Sequence, residues 1–249
     1  MLNLALGHRT FETDGATFVV NPSHPSIFDG NFMYDISATS DAEIDRLLTR
    51  ARREFAHCPV LSFRLAPWDS PAFESRLGLI GVEHYRSLVM LLSGELRGHA
   101  PAHDLRPIED ENAWGDLRDL KRADRAEHPA SSKENSHRWE VPDGLAATAR
   151  LKCPPVRYTM AYADDRPVGM FNSWVGVDGI GQVEDLFVLP EYRHRGIATA
   201  LIHHAVSQAR ADGAGPVVIC SNLAQTPKTM YAAMGWRPIV VGRQYAIRL

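Results

Sequence analysis

In residues 41–55 the apolar side chains fall at Ile44, Leu47, Leu48 and Ala51, one stripe at helical spacing, with Asp41 placed to cap the helix. Short extended runs flank it at residues 31–36, 60–65 and 85–92, with a short helix expected over 71–77. Residues 94–104 (GELRGHAPAHD) are poor in large apolar side chains and read as a linker. Beyond it, residues 104–110 predict a strand. Trp114, Leu117 and Leu120 mark a helix over 112–126, and residues 145–151 a second one that Pro154 and Pro155 stop. The polar stretch 129–140 between these helices reads as a loop able to close on a substrate. Strands follow at 156–162, 168–175 and 181–188, then a long helix over 196–211 that ends at Asp212-Gly213. A strand at 217–220, a helix at 226–234 closed by Gly235, and two final strands complete the chain. The order predicts an α/β (α+β) protein: a mixed sheet with a strand–helix–strand crossover, preceded by a smaller N-terminal α/β module. The expected domains are residues 1–95 and 103–249.

Composition narrows the function classes. Across 249 residues, 45% are hydrophobic and 23% charged, as in globular proteins, and the net charge is only −3. No Lys/Arg cluster supplies a footprint for nucleic acid, and no apolar run is long enough to cross a bilayer. The start MLNLALGHRT lacks the pattern of a secretory signal, so a cytoplasmic location is expected. Cys58, Cys153 and Cys220 are odd in number and widely spaced, which suits reduced thiols and neither a disulfide framework nor a metal site.

The chemistry is concentrated between Val183 and Ala198 (VEDLFVLPEYRHRGIA), where a strand meets a loop that opens a helix at Gly196. First-turn amides lack partners and sit at the positive end of the helix dipole, so such a loop can cradle a phosphate. Gly196 and Ala198 allow close approach of a pyrophosphate, and Arg193 and Arg195 can supply positive charge. The spacing Arg193-x-x-Gly196-x-Ala198 resembles the [Q/R]-x-x-G-x-[G/A] motif of the GNAT (GCN5-related N-acetyltransferase) superfamily. So does Val188-Leu-Pro-Glu-Tyr-Arg193, and the run from Asn222 through Tyr231-Ala-Ala-Met-Gly235-Trp236 is similar to that family's distal signature. The resemblance spans residues 104–249.

The resemblance implies a GNAT acyl-CoA acyltransferase fold, a mixed, mostly antiparallel sheet flanked by helices, with acetyl-CoA as cosubstrate, no metal, and a small amine or amino group as acceptor. The main chain of Leu186, Phe187 and Val188 would pair with the pantetheine arm. Arg193, His194, Arg195, Gly196, Ile197, Ala198 and Thr199 would hold the pyrophosphate, with Asn222 as a further contact. Tyr231 would protonate the departing thiolate, and a backbone N–H near Val188 would polarise the thioester oxygen. Glu184 is the first candidate for the base and Asp185 the second, since strand alternation should send them to opposite faces; some family members carry the base at the position of Gln182. An acidic pair favours a cationic amine. A CoA-binding protein without turnover, a hydroxyl acceptor and a longer acyl donor remain alternatives, as do a monomer and a homodimer. In the N-terminal part, strand, helix, strand, helix, strand repeats the order of the second half of the C-terminal part. Residues 71–81 also resemble the family's last helix and its glycine. Yet Ser37-Ala-Thr-Ser-Asp41 has neither Gly nor Arg, which implies a degenerate GNAT-like module without CoA.

Overall fold

The computed structural model describes residues 3–127, 140–176 and 178–249. Strands β1 (Arg9–Thr13), β2 (Ala16–Val20) and β3 (Phe32–Tyr34) precede helix α1 (Asp41–Glu54), β4 (Val60–Leu65), α2 (Pro71–Ile80) and β5 (Val82–Leu92). Then come β6 (Asp104–Pro107), α3 (Glu111–Glu127), α4 (Glu140–Leu151), β7 (Arg157–Ala163), β8 (Arg166–Val175) and β9 (Gly181–Val188). The chain ends with α5 (Ile197–Ala211), β10 (Val217–Asn222), α6 (Pro227–Ala233) and β11 (Arg237–Arg248). The expected substrate-closing loop at 129–140 lies outside the described residues, apart from Glu140. Among the described residues no helix is long and apolar enough to cross a membrane.

The fold divides into two compact units. A central unit holds Met90–Cys220 and Thr229–Arg237; an N-terminal unit holds Leu4–Val89, Ser221–Lys228 and Pro238–Leu249. The linear domains 1–95 and 103–249 therefore differ from the compact units at the C-terminal end of the chain.

In the N-terminal unit the strand order is β1-β2-β3-β4-β11-β5. The β1–β2 hairpin, unexpected from the hydrophobic pattern, turns at Asp14-Gly15, both with positive φ (51° and 76°), as a two-residue turn matched to strand twist requires. Two terminal strands were expected where one, β11, runs antiparallel to β4 from Arg243↔Leu65 to Arg248↔Val60. Gly242 interrupts its apolar pattern without turning the chain. A Cβ there would stand 2.8 Å from Ser87 Oγ, so the glycine serves a close approach. The core is aromatic: Phe18, Phe55, Phe63 and Phe73 are buried, and Phe11, Phe18 and Phe55 form a stack with successive centroids 5.2 and 5.8 Å apart.

Helix α1 buries Ile44, Leu47, Leu48 and Ala51, the stripe its spacing predicts. Its cap is Ser40 rather than Asp41. Ser40 Oγ accepts from the Glu43 N–H at 3.4 Å, while Glu43 Oε2 accepts from the Ser40 and Thr39 N–H groups at 2.9 and 3.0 Å. This reciprocal box consumes donors that a helix start otherwise leaves open. Backbone hydrogen bonds hold the Glu43 carboxyl down at about 2.

The central unit carries the order β10-β9-β8-β7-β6, antiparallel except for β10–β9. Alternation along β8 sorts the layers: Ser173 donates to Gln208 of α5 on one face, whereas Asn172 faces the side on which α3 packs. The three cysteines are free, and burial pushes the Cys58 thiol up to about 12.

Candidate active site

The loop between β9 and α5 is built around Gly196, which stands at the helix N-cap with φ +83° and no side-chain cap. That left-handed conformation suits glycine, and space enforces it: a Cβ would stand 2.7 Å from Pro101 Cγ. His194 also has positive φ, 60°. The first helical bond is Ala200 N–H to Gly196 C=O at 3.0 Å. Among the described residues, the N–H groups of His194, Arg195, Gly196, Ile197, Ala198 and Thr199 find no acceptor. A run of unpartnered amides ending in a helix start is an anion cradle, and its donor set fits a pyrophosphate. Residues of the preceding linker brace it from behind, His103 Nε2 donating to the Arg195 carbonyl at 3.0 Å.

The two arginines take different parts. Arg193 is locked into a bidentate pair with Glu127 (2.7 and 2.5 Å), and its Nε donates to the Val188 carbonyl at 3.0 Å. Its charge is neutralised, so it ties the loop to β9 and leaves the amides to meet the anion. Arg195 reaches only the Glu191 carbonyl, at 2.9 Å, and stacks on Tyr192; it has no carboxylate partner among the described residues and keeps its charge for a ligand.

Strand β9 presents an open edge. Its parallel pairing with β10 covers Gly181, Gln182 and Val183 and then stops. Further on, Leu189 N–H donates to Val168 on the β8 side at 2.9 Å, so alternation turns the N–H and C=O of Val188 to the unpaired edge. The splay comes with a β-bulge. Met170↔Phe187 and Asn172↔Glu184 are partners, so Asp185 and Leu186 together oppose Phe171, and Asp185 takes φ +65°.

The bulge overturns the expectation that Glu184 and Asp185 point to opposite faces. Asn172 is the cross-strand partner of Glu184, yet its Nδ2 donates to Asp185 Oδ2 at 3.1 Å; Tyr158, the partner of Asn172 on β7, donates to the same oxygen at 2.9 Å. Lys121 of α3 completes the set, its Nζ 3.0 Å from Asp185 Oδ2, with side-chain exposures of 7% for Lys121 and 32% for Asp185. Burial alone would raise the Asp185 carboxyl, but the Lys121 and Lys152 ammoniums and the donated hydrogen bonds prevail and bring it to about 2. The Tyr158 hydroxyl is pushed well up, first by burial and then by Asp185. Glu184 is half-buried, and its Oε1 accepts from Gln182 Nε2 at 2.5 Å, so the alternative base position and the favoured one touch.

Tyr231, on α6, is buried at 4% exposure with its ring 6.5 Å from that of Trp236, and its carbonyl accepts from the Trp236 N–H. Asn222, at the end of β10, falls in the N-terminal unit. Its side-chain oxygen accepts from the Ala224 N–H at 2.9 Å and shapes its own turn. Lys121, Lys152, Tyr158 and Asn172 are functional candidates that sequence reasoning missed. The available signal was Lys121 at helical spacing from Leu117, a charge on an apolar stripe. Among the described residues no three His, Cys, Asp or Glu side chains cluster as a metal site would require.

Residues 114–236 match the sequence model of the Acetyltransferase (GNAT) family. This stretch is a GNAT domain. No curated protein matches the chain. The GNAT fold is shared with a GCN5-related N-acetyltransferase from Kribbella flavida at a TM-score of 0.69 and 14% identity, over 96% of this chain and 89% of that one. A functionally unknown conserved protein from Staphylococcus epidermidis is similar at TM-score 0.69 and 14% identity, over 97% of this chain and 94% of the other. A tandem GNAT protein from the clavulanic acid biosynthesis pathway aligns at TM-score 0.63 and 12% identity, over 94% of this chain and 78% of its own. These overlaps include the N-terminal unit, so the likeness to a tandem GNAT arrangement extends over nearly the whole chain.

Proposed function

We propose that the protein is an N-acetyltransferase that moves an acetyl group from acetyl-CoA to a primary amine by direct attack, both substrates being bound together. The observation that carries this reading is the run of six open amides from His194 to Thr199 beside the open edge of β9 at Val188. Acetyl-CoA supplies an activated thioester. The amides of 194–199 and the Arg195 guanidinium hold its pyrophosphate. The exposed edge of Leu186, Phe187 and Val188 aligns the arm, and the Val188 N–H polarises the thioester oxygen.

Glu184 takes the proton from the attacking amine, with Gln182 fixing its carboxylate. Asp185 is a poor base, because Lys121, Tyr158 and Asn172 hold it ionised and already hydrogen-bonded; it orients the acceptor instead. Tyr231 donates the proton that lets the thiol leave. The N-terminal unit is a degenerate GNAT-like module without CoA, a reading supported by Glu43 and Ser40 filling the corresponding helix start.

Titration calorimetry with acetyl-CoA, followed by thiol release over an amine panel, tests the proposal. One site per chain and turnover that falls about 100-fold in Tyr231→Phe are expected. No binding at millimolar acetyl-CoA would overturn it, and binding without turnover on any amine would leave a CoA-binding protein.

A further inference from the structure

Arg193 opens the loop motif, yet each of its three guanidinium nitrogens is engaged inside the protein. Nε donates to the Val188 carbonyl at 3.0 Å, and Nη1 and Nη2 meet the two Glu127 oxygens at 2.7 and 2.5 Å. Its Cζ lies 5.9 Å from the centre of the Phe187 ring, within cation–π reach. The Val188–Leu189 peptide is thereby held from both ends, because the Leu189 N–H donates to the Val168 carbonyl at 2.9 Å. A peptide unit is planar, so a partner at each end fixes its tilt and, through Val188, steadies the adjoining N–H. Helix α3 supplies the fixed point. Besides Glu127 it carries Lys121, whose Nζ is 3.0 Å from Asp185 Oδ2. Six residues of helix rise about 9 Å and three residues of strand span about 10 Å, so this one helix grips both ends of the bulged stretch from Asp185 to Val188.

We propose that Glu127 is a positioning residue for the acyl transfer: through Arg193 it orients the Val188 peptide, and so the N–H that polarises the thioester oxygen. Arg193 is the link in this chain and not a phosphate ligand. The inference rests on the acetyltransferase reading above and adds to it a residue on another element. A guanidinium already matched by a carboxylate adds little attraction for a diphosphate. The same guanidinium, forked onto a carboxylate and tied to a main-chain carbonyl, has a fixed direction. A lysine in its place would keep the charge and lose the fork.

The test compares the full chain with its Glu127→Ala, Glu127→Gln and Arg193→Lys variants in three measurements. These are the calorimetric Kd for acetyl-CoA, kcat at saturating acetyl-CoA with the best amine of the panel, and the infrared carbonyl stretch of bound acetyl-CoA isotope-labelled at the thioester carbon. In Glu127→Ala and Arg193→Lys kcat should fall about tenfold to a hundredfold, the scale of a misaligned oxyanion donor. Glu127→Gln keeps one acceptor and should lose less. Acetyl-CoA should bind no more weakly than to wild type, since Glu127→Ala frees an arginine beside the anion; retained binding also reports an intact fold. The labelled stretch should shift to higher frequency in Glu127→Ala and Arg193→Lys as the carbonyl loses its donor. Tighter acetyl-CoA binding in Glu127→Ala with kcat and the stretch unchanged would make Arg193 a phosphate ligand held in reserve, overturning the inference and leaving the transferase reading intact. A stretch that depends on Glu127, in a protein that releases no thiol with any amine, would sink the transferase reading and support the positioning of Val188. Failure of the wild type to bind acetyl-CoA overturns both.

Discussion

Replacing Gly196 by alanine should damage acetyl-CoA binding through two separable strains. The first is conformational: at φ +83° a residue with a Cβ costs roughly 1–2 kcal/mol. The second is a collision, because the new Cβ would stand 2.7 Å from Pro101 Cγ, well inside the contact distance of about 3.5–4 Å. Together they amount to about 2 kcal/mol or more, released either as lost stability or as a shifted loop. In a chain of this size that corresponds to a melting temperature lower by roughly 4–8 °C. Displaced amides no longer converge on one anion, so calorimetry should show acetyl-CoA affinity falling about tenfold or more, the equivalent of about 1.4 kcal/mol. Adding Pro101→Gly relieves the collision but not the conformational cost, so the double variant should recover part of the loss. Wild-type affinity in Gly196→Ala would refute the assignment of this loop as the phosphate cradle.

Lys121→Met leaves Asp185 without its ion-pair partner and should lower stability in urea unfolding by about 2 kcal/mol, less than for a sealed pair because Asp185 is partly exposed and keeps the Tyr158 and Asn172 donors. Asp185→Asn added to Lys121→Met should restore much of that loss, and a purely additive double variant would contradict the pairing. The pH dependence follows from an Asp185 carboxyl lowered to about 2. Its stabilising contribution is complete above the ordinary aspartate value near 3.9 and is lost as pH falls toward 2. The melting-temperature gap between wild type and Asp185→Asn should therefore narrow between pH 4 and pH 2 and stay constant from about pH 5 to 8.

The turn from β9 into α5 was legible in the sequence because its physics is local: a glycine free to take positive φ and small residues at a helix start suffice to predict its shape. Helix α1 was legible for a similar reason, its buried stripe being written in one segment. The β1–β2 hairpin carried a signal, Asp14-Gly15, that the apolar pattern did not draw out. Other features are non-local. Gly242 looks like a strand break until Ser87 is placed against it. The bulge at Asp185 lies in a run, Glu-Asp-Leu-Phe-Val, with no glycine or proline to announce it. It exists because Lys121, Tyr158 and Asn172 converge on one carboxylate from three other elements. Alternation therefore gave the wrong face for Asp185.

The Glu43 carboxylate, wound onto the start of α1, makes the two units unequal partners in mass action. A ligand that binds only the folded state stabilises it by RT ln(1 + [L]/Kd), about 2.7 kcal/mol at a hundredfold excess over Kd. In the N-terminal unit the anion is part of the chain, present at a fixed effective concentration and indifferent to supply. In the central unit the corresponding amides wait for an anion from solution. On the proposed function, a rise in stability with acetyl-CoA would originate in the central unit and track the ligand's concentration, while the N-terminal unit carries its own constant anion.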